Sequence, residues 1–267
     1  MKLKNPDKAP ARFLLACALA LLFIPAARAQ EVSRDGALRK KVEEVIGASG
    51  AETVGVAFYD LETKRELLIN PDATFHAAST MKVPVMMEVF RQAHTGQLSL
   101  DASLDIRNQF KSIADGSFFS VSPEDDSEKT LYQKTGQAVA VRELVELMIN
   151  ASSNLATNVL IQRVTPARIM VFMRKSGARN IQVLRGVEDG KAYERHMNNT
   201  TTAHDLSILL RRIAEGRAVS KDASREMIEI MSRQRFNEGI PAGLPPSARV
   251  AHKTGSITKI NHDAAIV

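Results

Sequence analysis

The stretch FHAASTMKVPVM, residues 75–86, sets a serine and a lysine three positions apart where a polar loop gives way to an apolar helical run. If a helix begins at Ser79, that spacing puts Ser79 and Lys82 on one face, with the serine at the positive end of the helix dipole. The pair then suits a serine nucleophile whose proton passes to a lysine made less basic by burial and by neighbouring cations. Both residue types are common, so one Ser-x-x-Lys proves little. A second occurs at Ser256 and Lys259, on a predicted strand where an odd offset sends the two side chains to opposite faces. Whether Ser79 and Lys82 form a reaction centre therefore depends on partners elsewhere in the chain.

Working outward, KKVEEVIGASGAE reads as a short helix ending at glycine, and TVGVAFYDLETKRELLINP as strand, polar turn and strand. Helical periodicity then takes over in VPVMMEVFRQAHTGQL, VRELVELMINASSNLATNVLIQRV, ARIMVFMRKSGAR, AHDLSILLRRIAEG and SREMIEIMSRQ. Met81, Met86, Met87, Met148, Met170, Met173, Met227 and Met231 fall within these apolar runs and are expected to fill core space. The last stretch, ARVAHKTGSITKINHDAAIV, is rich in β-branched residues and returns to strand character. The expected architecture is α/β, an α+β sandwich-like arrangement: an antiparallel sheet flanked by helices, built from about 30–79 and 241–267, plus an all-helical lobe over about 80–240. The polar connection DGSFFSVSPEDDSEKTLYQKTGQ contains an acidic run, EDDSE at 124–128, read as a solvated loop.

The first residues have their own logic. A charged MKLKNPDKAPAR, an apolar FLLACALALLFIPA and a small-x-small Ala27-Arg28-Ala29 follow the order of a secretory signal, expected over 1–29. The apolar run has 14 residues, short of the roughly 20 that span a bilayer, so no stable membrane anchor is expected. Cys17 lies close behind Arg12 and is read as incidental. Lys2, Lys4, Lys8, Arg12 and Arg28 against Asp7 carry +4 of the formal +6, leaving about +2 for the mature chain and no support for nucleic-acid binding. Cys17 is the single cysteine, so the mature chain has neither disulfides nor thiolate metal sites.

Two further motifs offer partners. In NASSNLATN, 150–158, three polar residues interrupt an apolar helical stretch. Ser152 can pass a proton to a leaving amine and the Asn154 carboxamide can anchor a lysine and bind a substrate amide; equally, one serine can simply cap a helix start. In HKTG, 252–255, Lys253 and Thr254 can present a cation and a hydroxyl to an anionic group, Gly255 permits close approach, and the Ser256 backbone N–H joins that of Ser79 as an oxyanion donor. QKTG at 133–136 is a decoy that follows the acidic loop and precedes a helix.

Ser-x-x-Lys, Ser-x-Asn and Lys-Thr-Gly, in that order, form a known signature, and on it the sequence resembles the class A β-lactamase-like serine hydrolases of the β-lactamase and penicillin-binding protein superfamily. The hairpin before Ser79, NLATNVLI after Ser-x-Asn and NNTTTAHDL at 198–206 extend the likeness over nearly all the mature length. The resemblance implies a serine β-lactamase/transpeptidase-like fold with Ser79 as acylated nucleophile, Lys82 as proton acceptor and Ser152 as shuttle to the leaving nitrogen. It further implies Asn154 as a substrate contact and Lys253 with Thr254 as the carboxylate site, without cofactor or metal.

Three departures accompany it. Ser153 stands where class A β-lactamases usually carry aspartate. The loop LRGVEDGKAYERHMNN, 184–199, lacks their Glu-x-x-Leu-Asn, leaving Glu188 as the nearest carboxylate to activate a deacylating water, and Asn199 replaces the aspartate that usually pins that loop. The family's further strands and closing helix past Lys-Thr-Gly are not found after DAAIV. The expected activity is hydrolysis of the β-lactam ring by a monomer exported across the inner membrane to the periplasm or beyond. The alternatives are a peptidoglycan D-Ala-D-Ala carboxypeptidase or transpeptidase acting on stem peptides, or a non-catalytic fragment. The six histidines include no His-Glu-x-x-His, no Gly-x-Ser-x-Gly elbow occurs, and His262-Asp263 reads as a strand-end polar pair.

Overall fold

The computed structural model describes residues 24–267, with side chains from residue 36 onward; Cys17, the charged part and most of the apolar part of the expected signal lie outside the described residues. The chain divides after Val54 into two compact units. The first contains helix α1, Ile24–Ala48, longer than the short helix expected, which stops just ahead of Gly50 at φ +70°. Along it Arg39 meets Glu43 and Lys40 meets Glu44 at helical i,i+4 spacing. None of the helices among the described residues is long and apolar enough to cross a membrane.

The second unit begins with the expected hairpin, β1 Val56–Tyr59 and β2 Glu66–Ile69. Its turn is held by Asp60, which accepts the N–H groups of Glu62 and Thr63 and the Thr63 hydroxyl, bonds that pull its carboxyl below the usual range. After β3, Phe75–His76, and a 3-10 turn over Ala78–Met81 comes α2, Lys82–His94. Short strands β4 Ser103–Asp105, β5 Phe110–Lys111, β6 Phe118–Phe119 and β7 Ala138–Ala140 lead into α3 Val141–Asn150, α4 Asn154–Val164 and α5 Pro166–Lys175. Then follow α6 Gly190–Glu194, β8 Thr200–Thr201, α7 Ala203–Ala214, α8 Lys221–Met231, β9 Ala251–Ile257 and β10 Ile260–Ile266.

Every ladder is antiparallel, as expected, and each has two strands: β1 with β2, β3 with β8, β4 with β7, β5 with β6, and β9 with β10. Helix α7 packs on both β1 and β10, so one amphipathic helix covers the two long hairpins. The core lies among the helices: Val83, Met86, Met87 and Phe90 of α2 meet Leu144 and Met148 of α3, Leu155 and Leu160 of α4, and Met227 and Met231 of α8. Met170 packs against this cluster and the other expected methionines lie inside it.

The helical pattern misleads at one point. Residues 141–164 run as one apolar stretch in sequence, but the structure divides them at Ala151-Ser152-Ser153, with Ser152 at φ +57°. Left-handed backbone at a serine cannot continue a right-handed helix. Ser153 then caps α4, its Oγ accepting from the Ala156 N–H at 3.2 Å. The capping reading and the functional reading of NASSN thus fall on different residues of one turn.

Leu144 is fully buried where α3 meets α4. Leu144→Ala is expected to lower unfolding free energy by about 2–5 kcal/mol, measured by denaturant titration; a loss below about 1 kcal/mol would place it outside the core.

Candidate active site

The 3-10 turn carries Ser79 into position. The α-helix proper starts at Lys82, three residues later than the sequence pattern suggests, and Pro84 sits in its first turn, where no intrahelical N–H bond is lost. Ala78, at φ +44°, turns the chain sharply just before the serine. The turn is tied on two sides, by Ala77 N–H to the Asn199 carbonyl at 2.8 Å and by the Thr80 hydroxyl to the Ala77 carbonyl at 2.6 Å. Strand β9 lies against it so closely that a Cβ on Gly255 would stand 3.1 Å from Ser79 N and 3.0 Å from Thr80 N, which only glycine avoids. Ser256 follows on β9, its hydroxyl bonded to Asn261 Oδ1 at 2.8 Å, while Lys259 lies in the β9–β10 turn. The second Ser-x-x-Lys is therefore not a reaction pair.

Lys82 is completely buried, and its ammonium finds three acceptors: the Ser152 carbonyl at 2.6 Å, Ser152 Oγ at 3.1 Å and Asn154 Oδ1 at 3.0 Å. These match its three N–H groups one for one. Burial still dominates, lowering its pKa to about 7 against the opposing pull of the Asp126 and Glu188 carboxylates. Lys253, equally buried on β9, donates to the same Ser152 Oγ at 3.1 Å and to the Thr254 carbonyl at 2.9 Å. Burial and the Lys82 charge hold Lys253 well below the usual lysine range, opposed by Asp263. Ser152 Oγ thus accepts from two lysines, and its own proton is directed elsewhere. The structure therefore brings together Lys82, Ser152, Asn154 and Lys253, drawn from α2, the α3–α4 turn and β9, with Ser79 one turn ahead of Lys82. Thr254 is half-buried on β9 beside them.

Glu188 joins this cluster from the 184–199 loop. It is half-buried at φ +61°, with Oε1 accepting from Asn154 Nδ2 at 2.6 Å and Oε2 from Ser122 N–H at 3.0 Å. Burial raises its pKa, the two hydrogen bonds oppose this, and Asp126 and Asp125 add to the rise. Asn154 is the common link, its oxygen on Lys82 and its nitrogen on Glu188.

The loop holding Glu188 is fixed by carboxamides. Asn199 Oδ1 accepts from Leu184 and Arg185 N–H, while its Nδ2 donates to the Arg185 carbonyl at 3.0 Å. An amide can both accept and donate, so asparagine pins the loop here without a charge. Asn158 does the same for Val187, whose N–H and carbonyl it binds at 2.7 and 3.0 Å. Asp189 caps α6 and reaches across to the Ser112 hydroxyl and Ile113 N–H, binding the loop to the β5–β6 turn.

The acidic run EDDSE is not a solvated loop throughout. Asp126 and Glu128 are buried because each satisfies neighbouring backbone N–H groups. Glu128 accepts from Thr130 and Leu131 at the start of a 3-10 turn, and Asp126 accepts from Asn154 and Leu155 at the start of α4. The sequence signal was Ser/Asp/Glu spacing ahead of an apolar run, a capping pattern obscured by charge density. His262 and Asp263 also part company: His262 Nε2 meets the His76 carbonyl at 2.9 Å, while Asp263 meets the buried His252 at 2.9 Å and Ile240 N–H at 2.8 Å. QKTG lies on the surface, with Lys134 paired to Glu143.

The profile of the beta-lactamase enzyme family matches residues 37–267. Extended-spectrum beta-lactamase PER-1 of Pseudomonas aeruginosa is 24% identical over 225 residues, covering 82% of this chain and 69% of PER-1. A solved structure of a PBP-A variant, an acyl-enzyme complex with penicillin G, superposes with a TM-score of 0.73 at 28% identity, covering 86% of this chain and 81% of the other. An ancestral class A beta-lactamase gives 0.72 at 26% identity, over 85% and 84% of the two chains.

A Cβ at Gly186 would fall 2.2 Å from Asn158 Oδ1. Gly186→Ala is expected to break the Asn158 clasp and make residues 184–199 the first site cut in limited proteolysis; a cleavage pattern and rate equal to wild type would show that the loop does not depend on that contact.

Proposed function

Because this chain belongs to the beta-lactamase enzyme family, we propose that it is a serine hydrolase that opens the β-lactam ring through an acyl-enzyme at Ser79. The observation carrying this reading is the single Ser152 oxygen shared by two buried lysines, one of them a turn after Ser79. Neutral Lys82 takes the Ser79 proton as Oγ attacks the lactam carbonyl. Backbone N–H groups of Ser79 and Ser256 receive the developing oxyanion. As the C–N bond breaks, Ser152 passes its proton to the departing ring nitrogen and regains one from Lys82 across their 3.1 Å contact. Lys253 and Thr254 hold the substrate carboxylate, Gly255 admits the ligand close to the strand, and Asn154 contacts the substrate amide.

Deacylation needs a base for water, and the Glu188 carboxylate is the candidate. Its pKa, raised chiefly by burial, makes it a stronger base than an ordinary carboxylate. A cell-wall peptidase acting on D-Ala-D-Ala stems is the second reading, favoured by the likeness to PBP-A; the position of Glu188 beside Asn154 favours hydrolysis. On the first reading the leader in residues 1–29 delivers a monomer, without cofactor, to the periplasm or beyond.

Intact-mass spectrometry of the protein with penicillin G, followed alongside loss of β-lactam absorbance, tests the proposal. The expected result is an adduct on Ser79 that forms and clears, absent in Ser79→Ala; turnover undiminished in that variant would overturn it. Glu188→Gln is expected to form the adduct and slow its clearance by about 100-fold or more; equal clearance would exclude Glu188 as the base. Because Lys82 must be neutral to accept a proton, acylation should rise with pH through about 7. A flat acylation profile from pH ~5 to ~9 would remove Lys82 from that role.

A further inference from the structure

We propose that Asp126 is the positioning residue of the acylation centre: its buried carboxylate clamps the Ser152–Asn154 turn and fixes a negative charge beside the buried Lys82. The inference rests on the acylation reading above and concerns a residue that touches neither substrate nor Ser79.

Asp126 is 2% exposed. Its Oδ2 accepts from Asn154 N–H at 2.8 Å, Leu155 N–H at 3.0 Å, the Tyr132 hydroxyl at 2.9 Å and the Ser153 hydroxyl at 3.3 Å, and Oδ1 accepts from Glu128 N–H at 3.0 Å. A neutral amide cannot reproduce this set, since its NH2 end has no lone pair to offer a donor. Two of the donors are the first N–H groups of α4, where a carboxylate also complements the helix dipole. One of these, from Asn154, and a third donor, the Ser153 hydroxyl, belong to residues that together with Ser152 form the turn that receives Lys82. Moving that turn moves all three Lys82 acceptors and the Asn154 amide that holds Glu188. The same carboxylate acts on the buried Lys82, raising its pKa against the effect of burial.

The ionisable groups around Lys82 are Lys253 on β9, Glu188 on the 184–199 loop and Asp126 on the loop before α3. Around Asp126 stand the Tyr132 phenol, which burial and this carboxylate hold protonated, and the Glu188 carboxylate. Lys253 and the carboxylates act on Lys82 in opposite senses. Removing the Asp126 charge therefore favours neutral Lys82 and carries the acid limb of acylation to lower pH, whereas losing only a clamp slows acylation with the limb in place.

The test measures acylation by penicillin G against pH in wild type, Asp126→Asn and Asp126→Glu, with thermal melts of each. The expected result is a folded Asp126→Asn whose acid limb lies about half a pH unit or more below that of wild type, and an Asp126→Glu that restores the limb while remaining slower. A folded Asp126→Asn with the wild-type limb would overturn the charge assignment and leave only a clamp. If Asp126→Asn does not fold, Asp126→Ser, which removes the charge with a smaller side chain, is read in the same way: a limb below that of wild type sustains the inference, and the wild-type limb overturns it. If wild type forms no adduct at any pH, the acylation reading falls and takes this inference with it, which separates the two failures.

Discussion

Two lysines removed from water and directed at one serine oxygen set the terms for the rest of the structure. An isolated buried ammonium is costly, and it survives only where acceptors and opposite charge are supplied by the fold. Lys82 receives two carbonyl-type acceptors and a hydroxyl, with Glu188 and Asp126 behind them. Each comes from a different element: the α3–α4 turn, the 184–199 loop and the loop before α3. The helical core aligns these elements, so packing of apolar side chains far from the polar cluster determines whether the lysines are tolerated.

Three of the eight non-glycine residues at positive φ among the described residues stand at the polar cluster. Ala78, Ser152 and Glu188 all lie at positive φ, a conformation that costs a residue with a Cβ on the order of 1 kcal/mol. Each angle brings a side chain of the cluster, or the residue after it, out of regular structure and toward Lys82. Stored strain of this kind persists only where surrounding contacts over-determine it. Here those contacts are the Ala77–Asn199 bond, the Asp126 clamp and the Ser122 bond to Glu188.

Charge and amide exchange roles in this chain. Asn199 pins its loop through donors and acceptors on one carboxamide, and Asn158, from α4, repeats the device at Val187. Next to Ser152, an uncharged Ser153 caps α4, and the carboxylate at that helix start arrives from Asp126 instead. A negative charge thereby stands near Lys82, carried on a different segment.

Hydrophobic periodicity and motif order pointed to the main helices, the first hairpin and the strand character of the last stretch, and singled out Ser79, Lys82, Ser152, Asn154 and Lys253 as candidates, because core faces repeat along the chain and short motifs travel with their spacing. What they could not locate was the break at Ser152, since apolar spacing continues through it, or the burial of Asp126 and Glu128, since a dense acidic run is ordinarily solvated. Nor could spacing separate the buried Lys-Thr-Gly at 253–255 from the surface one at 134–136 except by the element each lies on. Those outcomes were decided by tertiary structure: a carboxylate or an ammonium is buried only when groups distant in sequence converge to satisfy it, and that convergence is a property of the packed chain and not of any local stretch.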